Sequence, residues 1–182
     1  MTYLRKNRLL PLVLGAGLFL ATGLVSCNTA TPENVFDRAV LNTNLLADFG
    51  ENYAKMLESY TVAYTNVPNS QKRGNEAQEQ VKMKVQVLEK ALKDIQALPD
   101  NDDAKELKAT SIALFEGAIP VYKKEYAEYA KLCDTKGPEE QKLAVLKSIE
   151  EYSVKLEGQY AKLMELGKVY AEKHHIQATF GR

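Results

Sequence analysis

Residues 111–133 read SIALFEGAIPVYKKEYAEYAKLC, and this stretch decides the fold. Ile112, Phe115, Ile119, Tyr122, Tyr126, Tyr129 and Cys133 recur at alternating steps of three and four. A helix turns once in about 3.6 residues, so these side chains share one helical face. A half-buried strand would instead alternate apolar and polar with a period of two. Pro120 lies inside the run, three residues after Gly117. It has no backbone N–H to donate and its ring crowds the preceding turn, so a kink is expected there. Lys136-Gly137-Pro138 ends the segment.

The same spacing extends in both directions. Towards the N-terminus, Phe36, Ala39, Thr43, Leu46, Gly50, Tyr53, Leu57, Tyr60 and Tyr64 form a first seam. Thr31 precedes it as an N-cap, with Pro32 at the first helical position and Glu33 favouring the positive end of the helix dipole. Asn66-Val67-Pro68-Asn69 breaks it. A second seam runs Val81, Val85, Leu88, Leu92, Ile95 and stops at Leu98-Pro99. Towards the C-terminus, Leu146, Ile149, Ser153, Leu156, Tyr160, Leu163, Gly167, Tyr170 and His174 form the fourth. No stretch alternates with a period of two. Four amphipathic helices with short connections predict an all-α fold, an antiparallel up-down-up-down four-helix bundle over 33–176 with a frayed tail at 177–182. The alternative is a longer coiled-coil array that needs a partner chain.

The whole chain has 182 residues, with 24 Lys+Arg against 24 Asp+Glu and 45% apolar residues. That length suits one domain plus a targeting segment, and the apolar fraction is that of a globular chain. A neutral balance argues against nucleic acid as a partner. Two cysteines exclude a disulfide-stapled miniprotein. Three of the 24 basic residues, Arg5, Lys6 and Arg8, lie in 1–26 without any acid; 21 then face 24 acids in the rest, a net of −3.

The N-terminus has three zones: basic Met1–Arg8, apolar Leu9–Leu20 and small, weakly polar Ala21–Ser26. This is the order of a secretory signal peptide. The 17 residues Leu9–Val25 would make about 25 Å of helix, short of a ~30 Å hydrocarbon core, and Pro11, Gly15 and Gly17 weaken a permanent span. Leu24-Val25-Ser26-Cys27 resembles the lipobox of bacterial lipoproteins. The resemblance covers residues 1–27. It implies cleavage between Ser26 and Cys27, a diacylglyceryl thioether on the Cys27 sulfur and, in many bacteria, an acyl group such as palmitate on its new amine. The competing reading is an ordinary signal peptide with an incidental cysteine. With 1–26 removed, residues 27–32 hold the lipidated cysteine and a short tether. Two or more acyl chains hold a protein stably on a membrane. Asn28 stands where inner-membrane lipoproteins often carry an aspartate, so the resemblance favours the outer membrane if the cell has two. Only Cys133 then remains as a thiol; export leaves it open to intermolecular pairing, while its place on the tyrosine seam favours a buried structural group.

The tether from Asn28 to Pro32 reaches at most about 17 Å, so the first helix is expected to start close to the bilayer. In an up-down-up-down bundle the 99–103 turn and the C-terminus share that end. The 66–75 connection and the 134–138 turn lie at the far tip, about 50 Å away for a 33-residue helix. That tip carries Lys72, Arg73, Asp134 and Lys136, and is the expected docking place for an envelope protein partner.

Catalytic signatures are sparse. Glu172-Lys173-His174-His175 contains one Glu-x-x-His where di-iron bundles use two with further glutamates. Met56, Met83 and Met164 have the look of core filler rather than haem ligands. Asp100-Asn101-Asp102-Asp103 starts like a calcium loop, but Lys105 replaces the loop glycine and Ser111 the bidentate glutamate. No nucleophile elbow, zinc-protease or phosphate-loop motif occurs. No cofactor is called for, and a non-enzymatic role is expected.

Tyrosine is the distinctive residue type. Tyr53, Tyr60, Tyr64, Tyr122, Tyr126, Tyr129, Tyr160 and Tyr170 all fall on seams. Large rings can simply fill a core with their hydroxyls at its rim. Alternatively Tyr53, Tyr60, Tyr122, Tyr126 and Tyr160 line a cavity. Gly50, Gly117 and Ser153 lie near the middles of three helices, and Pro120 kinks one of them. The favoured function is a membrane-anchored envelope module for binding or scaffolding. The alternative is a bundle carrier whose tyrosine-lined cavity takes an apolar ligand, haem or a metal.

Overall fold

The computed structural model describes residues 30–65 and 73–179. The leader with Ser26 and Cys27, the 66–72 stretch with Lys72, and residues 180–182 lie outside the described residues. The described residues form an all-α structure without strands. Its helices are α1 (Pro32–Ala39), α2 (Glu51–Thr65), α3 (Glu76–Gln96), α4 (Lys105–Val121), α5 (Ala127–Asp134) and α6 (Glu139–Lys173).

α1 starts as its sequence requires. The Thr31 hydroxyl accepts from the Asn34 N–H at 3.3 Å, and Pro32 takes the first helical position. The unbroken first helix expected from the seam is instead interrupted. Leu41–Leu46 tightens into a 3₁₀ turn, and residues 47–50 form a turn before α2. Asn42, Thr43 and Asn44 are weak helix formers whose side chains compete for the backbone. The Thr43 hydroxyl donates to the Val40 carbonyl at 2.5 Å. Gly50 closes the turn with φ of +101°, a conformation that side chains resist. The seam survives the interruption: Phe36, Ala39, Thr43, Leu46, Tyr53 and Leu57 are all buried.

The third segment also departs from a regular helix. Pro120 cannot donate to the carbonyl four residues back, and two residues later the helix widens to π geometry over Tyr122–Tyr126. The widened turn buries Tyr122, Glu125 and Tyr126 together. α5 then ends at a Schellman-type stop. The Gly137 N–H donates to the Leu132 carbonyl at 2.7 Å, and the left-handed position falls on Lys136. Gly137 is needed for space: a Cβ there would lie 3.3 Å from Leu132 Cα and 2.5 Å from its Cδ2.

Contacts between segments run in opposite directions along neighbouring stretches. Asp48 meets Lys84 and Tyr53 meets the Gln80 carbonyl, so numbers rise on one stretch as they fall on the next. Between the third helical segment and α3, Asp134 meets Ala77, Lys123 meets Glu89 and Lys108 meets the Leu98 carbonyl. On α6, Lys162 meets Glu106 and Lys173 meets Asp103. The core between them holds Leu57, Leu88, Ile95, Phe115, Ile149 and Leu163, all essentially inaccessible. Asp134 also replaces the missing local cap of α3. Its two carboxylate oxygens accept from the Ala77 and Gln78 N–H groups at 3.0 and 3.1 Å.

Candidate functional site

The first-helix interruption and the π turn meet at the waist of the molecule, and both are made to fit by polar groups. The Tyr126 hydroxyl accepts from the Gly50 N–H at 2.6 Å and donates to the Gly50 carbonyl at 3.0 Å. One buried phenol therefore satisfies both backbone groups of the residue that breaks the helix. Lys84, with its side chain 17% exposed, reaches Asp48 from α3 at 2.9 and 3.1 Å. Its ammonium also lies 5.2 Å from the Tyr53 ring centroid and 5.8 Å from that of Tyr122.

Tyr53, Tyr122 and Tyr126 are packed on one another. Tyr122 and Tyr126 stack at 4.6 Å, and Tyr53 stands edge-on to both at 5.2 and 5.0 Å. Phe49 closes the group edge-on at 5.6 and 5.7 Å. Such pairs contribute roughly 0.5–1.5 kcal/mol each beyond their burial. The rings thus occupy the space that the sequence reading assigned to a cavity. Burial drives the Tyr53, Tyr122 and Tyr126 hydroxyls well above the ordinary phenol range, with Asp48 adding to each. The Tyr122 hydroxyl is buried without a hydrogen bond of normal geometry.

The open space lies beside this cluster. Between Ile149 and Leu163, α6 has no buried residue. Over that interval a groove of about 430 Å³ runs between it, residues 46–49 and α4. That volume falls within the range of small-molecule sites, ~300–1,000 Å³. Leu46, Phe49, Leu114, Ala118 and Leu156 supply apolar wall, and Ser153, Glu157 and Tyr160 supply polar groups. Leu156 rests against Gly117, where a Cβ would stand 2.8 Å from its Cδ2. Gly50 faces Ser153, whose Oγ would lie 3.6 Å from a Cβ there. The three small waist residues therefore do converge: Gly117 admits a close helix approach, and Gly50 and Ser153 lie at the edge of the groove.

Of the five tyrosines singled out from sequence, Tyr160 lines the groove and is 37% exposed. Tyr60 is half-buried and takes no part in it. A second, shallower space of about 350 Å³ lies against Tyr122 between α3 and the π turn. Phe49, Leu114 and Leu156 were missed or read only as core. Their spacing is that of any buried helical residue, so no local signal distinguished them.

The remaining candidates are dispersed. Cys133 is buried, and burial pushes its thiol up to about 11. Tyr129 donates from its hydroxyl to Glu58, and Lys142 pairs with Glu139. His174 packs tilted against Tyr170, with ring centroids 4.4 Å apart and Nε2 3.9 Å from Asp103. His175 has positive φ and ends α6. Met83 is exposed, while Met56 and Met164 are half-buried against the core. Asp100–Asp103 acts as a turn: Asn101 Oδ1 accepts from the Asp103 N–H at 3.0 Å, and Lys108 pairs with Asp100. Among the described residues, no group of three or more His, Cys, Asp or Glu side chains is placed to hold a metal ion. No described helix is long and apolar enough to cross a membrane. No family model, curated protein or solved structure matches the chain.

Proposed function

We propose that this chain is a lipid-anchored cell-envelope protein whose exported part is a non-enzymatic binding or scaffold module. The observation that carries the reading is Leu24-Val25-Ser26-Cys27, set behind a basic and an apolar zone. Cys27 is the anchor, and Asn28 favours the outer membrane in a cell that has two. The exported part is read as an up-down-up-down four-helix bundle. In this reading α1 through α2 forms the first helix, broken at its waist, and α4, the π turn and α5 together form the third. The opposed pairs Asp48–Lys84, Lys123–Glu89 and Lys162–Glu106 support it.

The anchor then orients the bundle. The start of α1, the 97–104 turn and residues 174–179 face the membrane. The 134–138 turn lies far from it with Arg73 and Lys136, both exposed. Asp134 is committed to α3, so docking at that tip would fall to the basic residues. A second reading, the carrier of an apolar ligand, is favoured by the waist groove with its mixed lining.

The test of the anchor is Cys27→Ser with radiolabelled palmitate in the native host. Loss of label and retention of the uncleaved precursor are expected. Unchanged labelling of the variant overturns the reading. Crosslinking through Lys136 in intact membranes tests the scaffold role. A stoichiometric envelope partner is expected, and recovery of the protein alone shifts the function to the carrier.

A further inference from the structure

We infer that the waist groove is a binding site for a small cationic amphiphile, an apolar chain ending in a protonated amine or quaternary ammonium. The inference rests on the binding-module reading and specifies its ligand class. Three observations carry it. First, the groove is open because α6 contributes no buried residue between Ile149 and Leu163, although it is continuous helix throughout. Its apolar wall is formed by the buried Leu46, Leu114 and Ala118 with the half-buried Phe49 and Leu156, a short surface for the end of an alkyl chain. Second, among the described residues the ionisable side chains lining it are Glu157 and Tyr160, with no Lys, Arg or His.

Third, Glu157 has no cation of its own. Its helical neighbours at three and four positions on either side are Ser153, Val154, Tyr160 and Ala161. It is exposed to solvent and forms no ion pair among the described residues. An anionic chain end would meet this carboxylate with no counter-charge. A cationic end gains it, with the Tyr160 ring beside it as an aromatic face and, for a protonated amine, the Ser153 and Tyr160 hydroxyls as acceptors. Leu46, Leu114 and Leu156 then cover the apolar part.

The experiment uses the acylated mature protein in lipid nanodiscs, with empty nanodiscs as reference. The probes are n-octyltrimethylammonium and octanoate, which share chain length and differ in charge. Binding is read from methyl resonances of Leu114, Ala118 and Leu156. The cation is expected to bind about tenfold more tightly than the carboxylate. Glu157→Gln brings the two within about twofold, a change a purely apolar site would not show. Ala118→Met fills the groove and weakens both probes. Because Ala118 is buried, Tyr160→Ala at the exposed rim provides a second variant, expected to weaken the cation more than the carboxylate. Equal binding, tighter octanoate, or no movement of the groove methyls overturns the inference. The intact mass of the same sample reports acylation at Cys27, so a failed anchor and a failed ligand site are told apart.

Discussion

At the scale of single residues, the waist depends on Gly50 and Tyr126. Gly50 holds φ of +101°, and one phenol hydroxyl serves both its N–H and its carbonyl. A Cβ at this position meets nothing closer than 3.6 Å, so its cost is conformational rather than steric. Gly50→Ala is expected to destabilise by about 1–2 kcal/mol. Tyr126→Phe strands two buried backbone groups and is expected to cost about 1–3 kcal/mol. Urea unfolding measures both, and a double variant no worse than the poorer single one would show that they act as one unit. Lys136 presents the opposite case, holding φ of +54° at an exposed helix stop. Lys136→Gly removes that strain and is expected to raise stability by about 1 kcal/mol. An unchanged unfolding midpoint would contradict the strain.

At the scale of elements, Gly117 is a contact point between α4 and α6. A methyl there conflicts with Leu156 Cδ2, the free end of a side chain that lines the groove. Leu156 has space to swing aside, and alanine is the better helix former by about 1 kcal/mol. Gly117→Ala is therefore expected to hold or raise stability by up to about 1 kcal/mol while shifting the Leu156 methyl resonances. A clear loss of stability would mean that Leu156 is fixed. The helices themselves were legible in the sequence, because steps of three and four survive in Phe115, Tyr122 and Tyr129 as in Leu88 and Ile95. The interruption at 47–50 was not. Thr43, Leu46, Gly50 and Tyr53 keep the same steps across it, so the pattern conceals a change from α to 3₁₀ geometry. The groove was hidden for a related reason. Leu156 and Tyr160 carry the seam spacing of Ile149 and Leu163, and periodicity reports which face a residue is on, not how far the next helix stands away. Tyrosine was legible as the unusual component, but its spacing did not say whether the rings would surround a space or fill one.

At the scale of the whole molecule, the buried hydroxyls and thiol set a limit on the alkaline side. Burial raises Tyr53, Tyr122, Tyr126 and Tyr129, and raises Cys133 to about 11 from an ordinary value of 9.0. Such groups keep their protons in the folded chain at pH values where the unfolded chain has lost them. Their stabilising contribution is therefore complete below the unfolded pKa and declines as pH rises beyond it. The decline begins near pH 9 through Cys133 and steepens above about 10, the ordinary phenol value, as tyrosines add to it. Urea midpoints between pH 7 and 11 are expected to be level at first and then to fall, with tyrosinate absorbance appearing together with unfolding. Tyr122→Phe removes one of these groups and flattens the fall. A level profile to pH 11 would overturn the account.

The interval of α6 without buried residues also bears on motion. Its amides are bonded within the helix, but the side chains of 150–162 bring no fully buried anchor to the rest of the molecule. The free energy needed to open a segment locally tracks the apolar contacts it must give up. Hydrogen–deuterium exchange across α6 is therefore expected to be fastest in its centre, with slow flanks around Val145–Ile149 and Leu163–Ala171. A helix of 35 residues would then behave as two docked ends joined by a breathing span. Occupancy of the groove would slow exchange in that span first.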